Sequence, residues 1–360
     1  MDSLLAIKGR GLLVINKRLP VIILISAGFW CIFELINIRI GNWYYISLPQ
    51  ETFRRYVGGY LLAYGTVLPG IMVTKVYLQH LIGEIKTAQF HIKGYPYYSI
   101  ALGLVFLLLL YLFPLYCYAL AWISFALIID GYNYLKGYDS IMRDLEEGRT
   151  GGLVATMVSG LVCGMLWEFW NHWSITKWVY TVPFFEDLKI FEMPVLGYAG
   201  FVIFAIEVVT FVNLIRGLVK DKQQQLYLVA GLSVIVCCLS FPMIDRYIVF
   251  SYASKVEELF FIDKDRRDRL ILKGVKTSYG IDVKGLNEKE RATMALLHLK
   301  GLGITHLLRL NGHGIETIDD LARLDEKTLA NIIDEENPRR IRVYLKAARD
   351  YVKKTKGHLD

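Results

Sequence analysis

The chain carries none of the short motifs that announce common chemistries. It has no Walker-type phosphate loop, no dinucleotide fingerprint, no Gly-x-Ser-x-Gly and no His-Glu-x-x-His. Histidine is scarce, at 7 of 360 residues, and the Glu-x-x-His spacing of helix-borne metal sites does not occur, so no metal centre is expected. The five cysteines (Cys31, Cys117, Cys163, Cys237 and Cys238) all lie in apolar runs and none has Cys-x-x-Cys spacing. That excludes a disulfide framework or a zinc site and leaves them as small packed residues. No small-residue cleavage site follows the first apolar run, which therefore reads as a retained span rather than a leader.

What the chain does have is apolar length. It is 54% hydrophobic with a mean hydropathy of +0.37, a value soluble domains rarely reach. The apolar residues fall in blocks before about residue 262, and the remainder is highly charged. A span needs about 20 mostly apolar residues. Candidates stand at 19–40, 57–79, 97–113, 115–135, 152–173, 195–215 and 225–242. Backbone facing lipid cannot be left unpaired, so these spans are expected to be helical. The expected fold is all-α: a polytopic helical membrane bundle of about seven spans with a C-terminal soluble domain. The divisions read as 1–262 membrane domain, 263–286 charged linker and 287–360 helical domain.

Charge sets an expectation for topology. Lys8, Arg10, Lys17 and Arg18 precede the first span and favour a cytoplasmic N-terminus. Seven crossings then put the C-terminal domain on the far side. The count is least secure at Pro114, where two spans meet almost without a loop, and at residues 241–262, which read as interfacial. Net charge is +7, and residues 263–360 hold 21 Lys/Arg against 16 Asp/Glu, a difference of +5. Such a tail suits nucleic acid or anionic lipid, and equally an ordinary solvated helical domain.

Polar residues inside spans are costly and normally face a protein interior. Glu34, Asp130, Glu168 and Glu207 are of this kind, with Glu207 near mid-span. The stretch "LWEFWNHWSITKWVY" (166–180) is the densest case. Glu168, Asn171 and His172 share a helical face by their i, i+3, i+4 spacing, and Trp170, Trp173 and Lys177 would form a neighbouring face if the helix continued. An aromatic belt explains Trp167, Trp178 and Tyr180, but it does not require Glu168 or Asn171. The reading is a polar cluster at the membrane boundary, with Glu168 and Glu207 as candidate catalytic groups. Asn171, His172, Trp173, Lys177, Tyr180, Glu192, Asp130 and Asn133 are the candidate binding residues. Residues 178–196, bounded by prolines and rich in aromatics, are expected to roof one cavity shared by both glutamates. Asp130 and Asn133 have a second reading as a cap on the fourth span. Gly160 and Gly164 form a GxxxG pair suited to close helix packing.

In the tail, "LHLKGLGITHLLRLNGHGIETIDDLARLDEKTLANII" (297–333) sets a helix to Lys300, a Gly301-Leu302-Gly303 hairpin, a helix through Leu307 and Leu310, and a short helix from near Thr317. This stretch resembles the helix-hairpin-helix family over roughly 60 residues of the chain. The resemblance implies a phosphate cradle made by Lys300, Gly301, Gly303, Ile304 and His306, which would bind DNA without sequence preference. The family's second hairpin would fall where this chain has "DEENPRR", whose acids repel a phosphate backbone. That leaves a protein-interaction or oligomerisation module as the stronger expectation for 287–354. The run from Trp167 to Glu207 resembles a bacterial multi-pass membrane family with no established activity. The seven-span arrangement with membrane acids is weakly similar to the small carotenoid (lycopene) cyclases, although their proline followed closely by paired acids is not cleanly present.

Two functions follow as expectations for a protein of the bacterial cytoplasmic membrane. The first is binding or conversion of a lipid or isoprenoid-like molecule at the intramembrane polar site. The second is a membrane anchor or scaffold whose tail holds DNA or a protein partner. Membrane lipids are partners under both, and no residue pattern names a cofactor.

Overall fold

The computed structural model describes residues 15–183, 188–220 and 222–356. Lys8 and Arg10 lie outside the described residues. Seven helices are long and apolar enough to cross a membrane, at the places the apolar runs predict. They are α1 (Leu19–Ile40), α2 (Arg54–Ile82), α3 (Tyr95–Leu112), α4 (Pro114–Lys136), α6 (Gly151–Trp173), α7 (Tyr198–Val219) and α8 (Gln223–Tyr247), with a short α5 (Ile141–Glu146) between α4 and α6. The apolar stretch in 241–262 is therefore divided: its first part completes α8, and no eighth helix of spanning length occurs among the described residues.

The chain divides into two compact units. The first holds residues 1–40, 53–172 and 185–246; the second holds 41–52, 173–184 and 247–360.

Within the first unit, small residues let helices touch. A Cβ on Gly103 of α3 would come within 2.6 Å of Ile128 and 2.7 Å of the Ser124 carbonyl on α4, and one on Gly131 within 2.9 Å of the Pro96 carbonyl. The Pro114 junction is therefore a tight antiparallel hairpin. The GxxxG pair of α6 packs on α7: Gly160 abuts the Phe201 carbonyl and Ala205, and Gly164 abuts the Phe201 ring. On α1, Gly28 meets Ser233 of α8, and Phe29 and Phe33 pack on Phe204 of α7. α2 begins as a π-helix over Arg54–Leu61 and passes through a short turn at Thr66.

The second unit is not purely helical. β1 (Trp43–Ile46) pairs antiparallel with β2 (Lys177–Tyr180), Trp43 opposite Tyr180 and Ile46 opposite Lys177. The segment after α8 adds parallel bridges from Tyr45 to Val249 and from Leu48 to Tyr252. The aromatic and β-branched residues of "WYYI" and "KWVY" suit strands, but two four-residue runs about 130 residues apart cannot be paired by inspection. The helices are α9 (Lys264–Leu272), α10 (Glu288–His298), α11 (Gly303–Gly312), α12 (Ile318–Ala322), α13 (Glu326–Ile333) and α14 (Pro338–Lys356). Side-chain oxygens start four of them: Asp263, Asn287, Thr317 and Asp325 each accept from backbone N–H groups of the first turn. Asn287–Glu290 and Thr317–Asp320 are reciprocal capping boxes.

The stretch 263–286, read from its charge as a linker, is folded. Ile281 and Leu286 sit in the main core of this unit with Val256, Leu259 and Ile262, so the boundary at residue 262 falls inside a hydrophobic core. Its apolar residues are spaced too sparsely among lysines and arginines for their common face to show in the sequence. Phe250 stacks between His306 and Tyr344, at centroid distances of 4.3 and 4.9 Å.

Candidate functional site

The GxxxG packing decides where Glu168 points. Gly160, Gly164 and Glu168 follow one another at four-residue steps along the face of α6 that touches α7. Glu168 is completely buried and lies within electrostatic reach of Tyr198 at the start of α7. Asn171 is buried on the adjoining turn. A small hairpin, β3 (Lys189–Ile190) with β4 (Met193–Pro194), closes on this end of α6. The Tyr198 hydroxyl donates to the Ile190 carbonyl at 3.0 Å. Phe191, held at a φ of 58° in the turn, sets its ring 5.8 Å from Phe169 and 5.6 Å from His172. Glu192 is buried. Glu168, Asn171, His172 and Glu192 are thus brought to one end of the first unit.

Trp173, Lys177 and Tyr180 are not part of that group. The helix stops at Trp173, so the predicted Trp170–Trp173–Lys177 face does not form, and Lys177 and Tyr180 instead lie in β2 of the second unit. The roof expected over 178–196 is divided in the same way. Residues 178–180 are strand, 188–194 form the hairpin, and 184–187 lie outside the described residues.

Glu207 stands elsewhere. It is completely buried, and neither carboxyl oxygen has a hydrogen-bond partner by geometry among the described residues. The Phe125 backbone of α4 is the polar group that acts on it. Phe201 and Ala205 mark the side of α7 that meets α6. Glu207 follows Ala205 by two residues, about 200° further round the helix. It is nine residues beyond Tyr198, or about 13 Å along the axis. Glu207 therefore turns away from the side of α7 that Glu168 faces. What neighbours Glu207 along its helix is aromatic. Phe204, one turn before it, touches Phe29, Trp30, Phe33 and Trp122 at centroid distances of 5.5 to 6.1 Å. Phe211, one turn after it, packs 4.5 Å from Phe29. Glu34, also fully buried, accepts from Trp30 Nε1 at 2.7 Å.

Compared with known proteins, the chain matches no protein-family model, no curated protein and no solved structure.

Asp130 and Asn133 link neighbouring helices. Asp130 accepts from the Tyr95 hydroxyl (2.8 Å), the Ser140 hydroxyl (3.0 Å) and the Ile141 and Met142 N–H groups (2.8 and 3.1 Å). Four donors occupy both oxygens, so this carboxylate ties α3 to the start of α5. Asn133 Nδ2 donates to the Thr210 carbonyl at 2.9 Å and joins α4 to α7.

The glycine hairpin of the tail is an interior feature. Gly301, Leu302 and Gly303 are buried. A Cβ on Gly301 would meet the Ile46 side chain at 2.5 Å, and one on Gly303 would meet Ser251 at 2.8 Å. The Ser251 hydroxyl donates to the Gly301 carbonyl. His306 is stacked on Phe250, and its Nδ1 lies 2.7 Å from the Leu302 carbonyl. The glycines thus permit close approach, and what approaches is β1 and the 248–252 segment of the same unit. The acids after the hairpin are used internally too: Glu335 pairs with Arg340 at 3.1 Å. Burial holds the His298 imidazole down to about 4, and its Nε2 lies 2.9 Å from the Ser278 hydroxyl.

Sequence reading missed the strongest polar cluster of the membrane unit. Arg55, Tyr56 and Tyr60 of α2 converge on Asp245 of α8. The visible signal was an ionisable residue at the end of an otherwise apolar run at both places. Among the described residues, no group of three or more His, Cys, Asp or Glu side chains is arranged to hold a metal ion.

Proposed function

We propose that the first unit is an intramembrane binding site for an apolar molecule bearing one polar group, a lipid or isoprenoid-like compound, and that Glu207 meets that group. The observation that carries this is the complete burial of Glu207 without a hydrogen-bond partner among the described residues. A buried polar group costs several kcal/mol unless it is satisfied. A ligand hydroxyl or amine would add a partner beyond the one polar group that acts on it, the Phe125 backbone of α4. The ring faces of Phe29, Trp30, Phe33, Trp122 and Phe204 provide apolar surface beside it. Were the molecule converted, the same carboxyl would donate the proton and the ring faces would stabilise the resulting cation. Glu168, on the other side of α7, serves in this reading to hold the β3–β4 hairpin end of the bundle. The basic residues before α1 favour a cytoplasmic N-terminus, and the resemblance of the Trp167–Glu207 run to a bacterial membrane family favours the bacterial cytoplasmic membrane as the location.

The test is native mass spectrometry and lipid extraction of the full-length protein in mild detergent. A co-purifying apolar molecule is expected on the wild type, with at least about tenfold less on Glu207→Gln at unchanged thermal stability, as loss of one hydrogen bond to a charged or strongly polar partner implies. Equal ligand on both proteins, or none on the wild type, overturns the reading. A Glu207→Gln protein that changes only in stability assigns this residue to helix packing.

A further inference from the structure

The C-terminal end of α9 is built to leave two large apolar side chains in the open. Gly274, at a φ of 82°, turns the chain so that its N–H bonds the Ile271 carbonyl (2.8 Å) and the Val275 N–H bonds the Leu270 carbonyl (3.0 Å). This helix stop folds Val275 back against the core, where Leu270 also packs. Ile271 and Leu272 are left outside, 37% and 86% exposed. Leu272 is the most exposed large hydrophobic residue among the described ones.

Around this tip the charge is nearly all of one sign. Residues 266–276 contain Arg266, Arg267, Arg269, Lys273 and Lys276 against a single acid, Asp268. Arg266 and Arg267 are used inward, on Glu290 and on the Glu257 carbonyl. Arg269, Lys273 and Lys276 are exposed and form no ion pair among the described residues.

We propose that the Ile271–Leu272 tip docks into the headgroup layer of an anionic bilayer, with Arg269, Lys273 and Lys276 on the lipid phosphates. Apolar side chains in a basic surround are what such a layer takes up: the side chains enter the acyl boundary and the cations meet the negative surface. A bilayer is the surface always within reach of this chain, since seven helices span it and α9 begins only 17 residues after the last of them, from Tyr247 to Lys264.

The experiment uses full-length protein reconstituted into vesicles of phosphatidylcholine alone or mixed with phosphatidylglycerol. An environment-sensitive fluorophore is attached at Leu272→Cys, with Cys117 and Cys238 changed to Ser because the other three cysteines are buried. In the anionic vesicles the emission is expected to shift to the blue and to be quenched by headgroup-labelled lipid. Salt at about 1 M, where screening lengths fall to about 3 Å, should reverse both effects. Arg269→Glu, Lys273→Glu and Lys276→Glu together should abolish them with the fold intact by circular dichroism. A probe as exposed in anionic as in neutral vesicles overturns the proposal. So does a blue shift that follows protein density instead of lipid charge, the signature of a second copy.

Discussion

Arg55 holds Asp245 in a two-pronged ion pair, with Nε 2.9 Å from Oδ1 and Nη2 2.7 Å from Oδ2. Both side chains are largely withdrawn from solvent, at 7% and 16% exposure. The π-helical turn that begins α2 widens the helix so that Arg55, Tyr56 and Tyr60 all reach the same carboxylate, Tyr56 at 3.0 Å and Tyr60 at 2.8 Å. Their rings continue as a stack through Tyr64 beside Phe241, so the polar clamp and the apolar contact between α2 and α8 are one feature.

Breaking one side of such a pair leaves a buried charge uncompensated. Asp245→Leu alone should cost about 3–5 kcal/mol, while Arg55→Met with Asp245→Leu should recover most of the loss. Thermal unfolding of the wild type and both variants in detergent checks this. A double variant no more stable than Asp245→Leu would show that the clamp does more than neutralise a charge.

The buried glycine hairpin makes a prediction about folding instead of DNA. Gly301 has a φ of 66° and no room for a Cβ beside Ile46, and Gly303 has a φ of 79° beside Ser251. Gly301→Ala should destabilise the second unit by about 2–4 kcal/mol, from the left-handed backbone and the overlap together. Gly303→Asp should disrupt it outright. Gly312→Ala, whose Cβ would meet nothing within 4 Å, is the control. Limited proteolysis of the full chain reads the difference at residues 247–356. A Gly303→Asp protein as resistant as the wild type would place the hairpin at the surface after all.

Acid should weaken the second unit before its carboxylates titrate. In the folded chain burial holds His298 down to about 4, whereas an unfolded histidine protonates near 6.5. Between these values the unfolded chain binds the proton and the folded chain does not. Stability is therefore fully present above about pH 6.5, is lost as pH falls toward 4, and changes no further below it through this group. The slope for one such proton is at most about 1.4 kcal/mol per pH unit. His298→Gln should flatten the slope in that window. Part will remain, because burial lowers His306 in the same direction. Asp320, held low chiefly by the Thr317 hydroxyl, acts at more acid pH. Denaturant unfolding followed by hydrogen exchange at residues 288–298 measures it. An unchanged slope in the variant would mean that His298 opens to solvent before the unit unfolds.

The sequence by itself determined the spans. Seven apolar runs of bilayer length became seven helices because a backbone in hydrocarbon has only internal partners, and length with hydropathy is a local property. It also determined the caps and helix positions of the tail, where Asn287, Thr317 and Asp325 act within a single turn. It marked Glu168 and Glu207 as interior residues, since a carboxyl facing lipid is costly. Only the tertiary structure decided which interior each faces. Glu168 continues the glycine stripe toward α7, while Glu207 turns to α4, because the side on which α7 receives α6 is set by Gly160, Gly164, Phe201 and Ala205 together. The second unit was decided at longer range still. Gly301 is buried because Ile46, more than 250 residues earlier in the chain, packs on it, and Lys177 is in a strand because Ile46 pairs with it. A residue's own pattern records the helix or strand it favours, but the partner that covers it comes from another part of the chain, and only the folded packing brings the two together.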